Sequence, residues 1–163
     1  EKFNVDQSKV AVLGCSSGGQ MAALIGTTNE NLYFEDKEDW NQNAKVQAII
    51  DMDGILAFKH PESQEGEAAS LWLGGTYEQK PETWQQASAL THTNANTPPI
   101  LFINSDMIRY HAGRDNMIEI LDKNRIYNEV QTIKNSPHSF WFFDPWFDEM
   151  IKHTTQFLDK VFK

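Results

Sequence analysis

The 163-residue chain is 40 % hydrophobic and carries a formal net charge of −9. That is long enough for one domain with a core, too apolar for a disordered chain, and too acidic for a nucleic-acid or anionic-membrane partner. Its lone cysteine, Cys15, excludes an intrachain disulfide, and no apolar run reaches membrane-spanning length.

The chain opens on Glu1-Lys2-Phe3-Asn4-Val5-Asp6 and runs almost straight into a strand over 9–13, which leads us to expect a preceding portion of the same fold. Gly14 is expected to end that strand, and a Met- and Ala-rich helix follows over 18–27. Residues 27–43 are polar and acidic, an exposed loop or short helix. Within them Glu30-Asn31-Leu32-Tyr33-Phe34 resembles a protease-tag site, but Glu35 follows, so it reads as native loop. A β-branched strand is expected over 46–52, closed by Asp53-Gly54. Residues 55–99 are too long for a plain connection and read as helical turns forming a lid or substrate wall, with Pro81 opening a helix. A near-continuously apolar strand over 100–104 has the pattern of a buried parallel strand. A helix over 113–123, an alternating strand over 129–133, an aromatic loop over 136–143 and a final helix over 145–162 complete the order. Strand and helix alternation of this kind predicts an α/β fold with a parallel sheet flanked by helices. Ser16, Asp53, Asp106 and His138 then all follow strand ends, on the rim where such sheets bind ligands.

The strand-turn-helix junction contains Gly14-Cys15-Ser16-Ser17-Gly18, the G-x-S-x-G pattern of a nucleophile elbow. The spacing is steric: a serine on so sharp a turn takes strained angles, and Gly14 and Gly18 are expected to let strand and helix approach. Ser16 is therefore the expected nucleophile, with the backbone N–H of Ser17 as one oxyanion donor. The alternative is a Gly/Ser turn serving as a weak anion cradle; it lacks the sequence of a P-loop or a dinucleotide fingerprint. Cys15 reads as a small residue pointing back into the sheet.

A nucleophilic serine needs a base, and the base an orienting acid. His138, after the last strand and among aromatics, is the expected base over His60, His92, His111 and His153. The order Ser, Asp/Glu, His places the acid after the third strand, which favours Asp106 over Asp115 and Asp53. Arg114 could pair with a carboxylate and hold the loop. No H-G-G-type segment supplies a second oxyanion donor, and Gly74-Gly75 stands at the wrong place in the chain.

Gly14 to Ala23 resembles the elbow of hormone-sensitive-lipase-like and carbohydrate-esterase α/β-hydrolases. Asp53-Gly54-Ile55, Trp72-Leu73-Gly74-Gly75, Ile103-Asn104-Ser105, His111-Ala112-Gly113-Arg114-Asp115 and Pro137-His138-Ser139-Phe140-Trp141 resemble bacterial pectin acetylesterase-like or xylan-esterase-like members. The resemblance implies an α/β-hydrolase fold, here its C-terminal half with strands five to eight. It also implies Ser16 as nucleophile, His138 as base, no metal or cofactor, and a secreted or periplasmic location. The acid loop departs from the usual G-x-x-D turn, having Asn104-Ser105-Asp106 instead. The expected function is a serine esterase acting on acetyl-type esters of plant polysaccharides. The substrate is a small ester or acylated oligosaccharide, and Cys15 and Trp141 are its expected binding residues. Trp72, Trp84 and Trp146 are further sugar-stacking candidates. The alternatives are a peptidase or lipase of the same fold, a non-catalytic binding module, and a flavodoxin-like anion-binding domain.

Overall fold

A computed structural model of the chain describes residues 4–29, 31, 33–34 and 44–163. The start of the chain at 1–3 and most of the expected loop over 30–43, including Glu30, Leu32 and Glu35, lie outside the described residues.

Among the described residues four strands form one parallel sheet: β1 (Ala11–Cys15), β2 (Ala48–Met52), β3 (Ile100–Asn104) and β4 (Asn128–Thr132). They lie side by side in chain order, β1-β2-β3-β4. The register pairs Leu13 with Ile50, Ile50 with Leu101 and Leu101 with Glu129. Parallel pairing of neighbours requires a crossover over the sheet each time, and those crossovers carry the helices. The long helices are α1 (Ser17–Thr27) and α5 (Arg114–Lys123), on crossovers, and α6 (Trp146–Val161), which follows β4. Three short ones, α2 (Gly66–Trp72), α3 (Pro81–Gln86) and α4 (Ala89–His92), come from the segment between β2 and β3. The arrangement is that of an α/β-hydrolase sheet flanked by helices.

The two central strands are buried at all five positions, because both their faces are covered. Ile50, Met52, Leu101 and Ile103 point to one side, where Phe140, Met150 and Phe157 pack on them. Ile49, Ile100 and Phe102 point to the other, against Ala23 of α1, Leu56, Ala89 and the Met117 and Leu121 of α5. A third, smaller cluster joins Ile55, Phe58, Ala69, Leu73 and Trp84 to Ala112. The polar, alternating β4 forms one edge.

Gly14 does not end the first strand: it and Cys15 stay in the ladder, paired with Asp51 and Met52. Its missing side chain serves the elbow instead. A Cβ there would fall 1.9 Å from the carbonyl oxygen of Gly18, whereas a Cβ on Gly18 would meet open space. The close approach therefore depends on Gly14 and not on both motif glycines. Close approach outside the motif also needs glycine: a Cβ on Gly54 would fall 2.2 Å from Asp51 Oδ1 and 2.3 Å from the Gln20 nitrogen, and one on Gly19 would fall 2.3 Å from Asp51 Oδ1.

Candidate active site

Ser16 stands between β1 and α1 with φ 55° and ψ −122°, a conformation that L-residues avoid. Such strain costs about 1–3 kcal/mol and persists only when its surroundings over-determine it. Here the Ser16 N–H donates to the Met52 carbonyl at 2.7 Å, and its own carbonyl accepts the Gln20 N–H at 3.1 Å. The hydroxyl makes no capping bond to the helix it precedes and is free to face the rim.

It faces His138. Ser16 Oγ lies 2.8 Å from His138 Nε2, and His138 Nδ1 lies 3.0 Å from Asp53 Oδ2. The chemistry of the partners fixes the protons. An ionised carboxylate only accepts, so Nδ1 carries the hydrogen toward Asp53, and the Nε2 lone pair accepts the Ser16 hydroxyl. The three groups come from the ends of β1, β2 and β4, which the parallel sheet brings to one rim.

Asp53 is only 1 % exposed and also has positive φ, 50°. Its carboxylate is held on several sides. Oδ1 accepts the Ser105 N–H at 2.8 Å and Asn104 Nδ2 at 3.4 Å, and Oδ2 accepts the Ser105 hydroxyl at 2.6 Å as well as His138. Ser105 thus orients the acid; its hydroxyl is committed to Asp53. Arg114 reinforces the arrangement from behind, donating to Asn104 Oδ1 at 2.8 Å, and it also pairs with Asp115.

Asp106 is not in this array. It is exposed and accepts the backbone N–H of Asn135 at 2.6 Å, bracing the loop that leads to His138. The reason is local. β3 ends at Asn104, and the next position, Ser105, is buried against Asp53, so the chain turns outward at Asp106. Asp115 is exposed beside Arg114. The orienting position therefore belongs to Asp53 and not to either downstream aspartate.

The remaining histidines are engaged elsewhere. His60 bonds Asn116, His92 the Gln86 carbonyl and His111 the Ser105 carbonyl, and His153 pairs with Glu149 on α6. Desolvation, with Arg114 nearby, lowers the His111 pKa below the usual imidazole value.

A second buried carboxyl, Asp51, lies within β2, two residues before Asp53, and is 1 % exposed. Its Oδ1 accepts the Gly54 N–H at 3.0 Å. Burial, and then the charge of Asp53, raise its pKa well above the ordinary carboxylate value.

An open cavity of about 670 Å³ lies over Ser16 and His138. Ser17, Gln20 and Met21 of α1 line it. So do Ile55, Phe58, Glu65, Ala69 and Trp72 from the segment between β2 and β3, together with Arg109 and Tyr110. Ser17 opens α1, where helix geometry leaves the first N–H groups without intrahelical partners. Cys15 and Trp141 are not among the cavity-lining residues. Cys15 Sγ lies 3.6 Å from Met52 Sδ, and burial, with Asp51 and Asp53 nearby, pushes the thiol up to about 11. Its strand position turns it into the sheet, the reading its place in the motif suggests. Trp141 packs edge-on to His138, centroids 5.1 Å apart, and joins the core under α6. Trp84 is buried in the third cluster and Trp146 packs in the core under α6, so of the sugar-stacking candidates Trp72 is the one at the cavity. Among the described residues no group of three or more His, Cys, Asp or Glu is placed to hold a metal ion, and no helix is long and apolar enough to cross a membrane.

Known proteins share this framework. The chain is 24 % identical over 141 residues to Esterase LipC of Mycobacterium tuberculosis, covering 83 % of this chain and 33 % of that protein. It superposes on a truncated carbohydrate esterase from gut microbiota with a TM-score of 0.71 at 18 % identity, covering 97 % of this chain and 62 % of that one. The butyrate-bound esterase Est2 of Thermogutta terrifontis gives 0.72 at 18 % identity, covering 96 % and 58 %. This chain thus spans a third of the curated relative and about three-fifths of these structures. The BD-FAE family matches residues 1–124, through β1 to α5, and the chain belongs to that family.

Proposed function

We propose that the chain carries the catalytic residues of a serine esterase. The observation that supports this most strongly is the hydrogen-bonded series Ser16 Oγ, His138 Nε2, His138 Nδ1, Asp53 Oδ2 at 2.8 and 3.0 Å, opening on a cavity. In this reading Ser16 Oγ attacks the ester carbonyl while His138 Nε2 takes its proton. The N–H of Ser17 donates to the developing oxyanion at the helix N-terminus. His138 then protonates the departing alcohol, water attacks the acyl-Ser16, and the acid leaves. Asp53 keeps the imidazole in the required tautomer throughout. No step calls on a metal or cofactor.

The substrates in this reading are acetyl-type esters, with acylated plant polysaccharide as the natural class. Residues 55–99 serve as the substrate wall, since five of the cavity residues named above come from them. The four strands correspond to the fifth to eighth of the hydrolase sheet. In support, β1 presents a half-exposed apolar edge at Leu13, suited to a further strand.

The test is hydrolysis of p-nitrophenyl acetate by the protein and by Ser16→Ala. We expect turnover that falls by about 10⁴-fold or more in the variant. Turnover unchanged by the substitution overturns the assignment of the nucleophile, and its absence from the parent protein overturns the esterase reading.

A further inference from the structure

His138 is held by more than Ser16 and Asp53. The Tyr110 ring stacks on its imidazole with centroids 3.6 Å apart and planes 12° from parallel. Arg109 Cζ lies over the same tyrosine ring, 4.6 Å from its centroid. The imidazole already fills one face at that distance, so the guanidinium occupies the other. Arg109 Nη2 in turn donates to Glu65 Oε1 at 2.8 Å, and its Nε is buried with no acceptor. Glu65 belongs to the segment between β2 and β3, whereas Arg109 and Tyr110 lie in a 3-10 turn after β3 (Ile108–His111).

We infer that Arg109, Tyr110 and His138 form a three-layer stack in which Tyr110 is a positioning residue supporting the imidazolium form of His138, with Glu65 offsetting the Arg109 charge. The inference rests on the esterase reading for its purpose, because in that reaction the base becomes a cation while it holds the Ser16 proton. Its geometry stands without that reading. The electron-rich face of a phenol attracts a cation placed on it. A guanidinium on the far face draws that density away and repels the imidazolium, unless a carboxylate is paired with it. Stacking also opposes rotation of the ring, keeping Nε2 on Ser16. Asp53 touches the imidazole directly, and the charged and titratable groups gathered about Asp53 are Asp51, His111 and Arg114.

The test is an NMR pH titration of the His138 ring proton in the protein, needing no turnover. In Tyr110→Leu we expect the midpoint to move to lower pH by about 0.5–1 pH unit, and in Tyr110→Phe to stay at the parent value. Glu65→Gln moves it to lower pH, and Arg109→Gln to higher pH. A folded Tyr110→Leu protein with an unmoved or raised midpoint overturns the inference. Should that variant fail to fold, Glu65→Gln and Arg109→Gln decide, and their moving the midpoint in the same direction, or not at all, overturns it. Ester hydrolysis measured alongside separates the two ideas. Moved midpoints without turnover retain the stack and remove the esterase; Ser16-dependent turnover with unmoved midpoints does the reverse.

Discussion

Two adjacent strands of this sheet end in acidic turns that use their carboxylates in opposite ways. After β2, Asp53 is buried, adopts positive φ and gathers Ser105, Asn104 and His138 around it. After β3, Asp106 is exposed and holds a single backbone N–H, that of Asn135. Both residues follow strand ends on the rim that carries Ser16 and His138. What separates them is burial and backbone angle. A carboxylate taken out of water must be hydrogen-bonded on several sides. The β2 turn supplies those bonds because β3 lends it Asn104 and Ser105. The two turns thus divide one task, the second strand end donating to the acid carried by the first.

Three substitutions separate the two turns by the size of their effect. Asp53→Asn should lower kcat for p-nitrophenyl acetate by about 10⁴-fold, since an amide there favours the wrong imidazole tautomer. Ser105→Ala should cost about 10–100-fold, the worth of one hydrogen bond to a charged group. Asp106→Asn should change kcat by no more than about threefold, because its oxygen still accepts the Asn135 N–H. A loss in Asp106→Asn that equals the loss in Asp53→Asn reverses the assignment.

A smaller effect sharpens the same turn. The pKa of Asp51 is raised in the folded state, chiefly by burial and then by Asp53. The unfolded chain releases that proton near the ordinary carboxylate value, and the folded chain retains it. Stability is therefore lost as pH rises from about 4 toward the folded value. Asp51→Asn keeps an acceptor for the Gly54 N–H and removes the titration. Its Tm should match the parent near pH 4 and exceed it increasingly toward pH 7, by about 2–4 °C for each kcal/mol relieved. An advantage that shrinks as pH rises contradicts the argument.

The fold was legible because its signals are local. The run Ile100-Leu101-Phe102-Ile103 can be buried on both faces only in a central parallel strand, and β3 occupies the expected bounds. Ser16 and His138 were legible from the elbow pattern and from a histidine among aromatics after the last strand. Asp53 was harder to see. A chain-order rule pointed past β3, and an Asp-Gly pair after a strand has the look of an ordinary turn. The missed signal was Asp51-Met52-Asp53, two carboxylates at the end of an otherwise apolar strand, where uncompensated burial is costly. Gly54 offered a second hint, since any side chain there collides with Asp51 and the start of α1. Cys15 as a substrate contact failed for a simpler reason: strand alternation turns it toward Met52 while the turn presents Ser16. The stack of Tyr110 on His138 depends on two distant loops meeting, which no local pattern encodes.

The central claim is that Ser16, and not the neighbouring Ser105, forms the covalent intermediate. The most direct measurement is mass spectrometry of the protein after reaction with a fluorophosphonate ester, followed by peptide mapping. We expect one adduct, on the peptide containing Ser16, absent after His138→Ala. An adduct on Ser105, or labelling that persists without His138, places the nucleophile elsewhere.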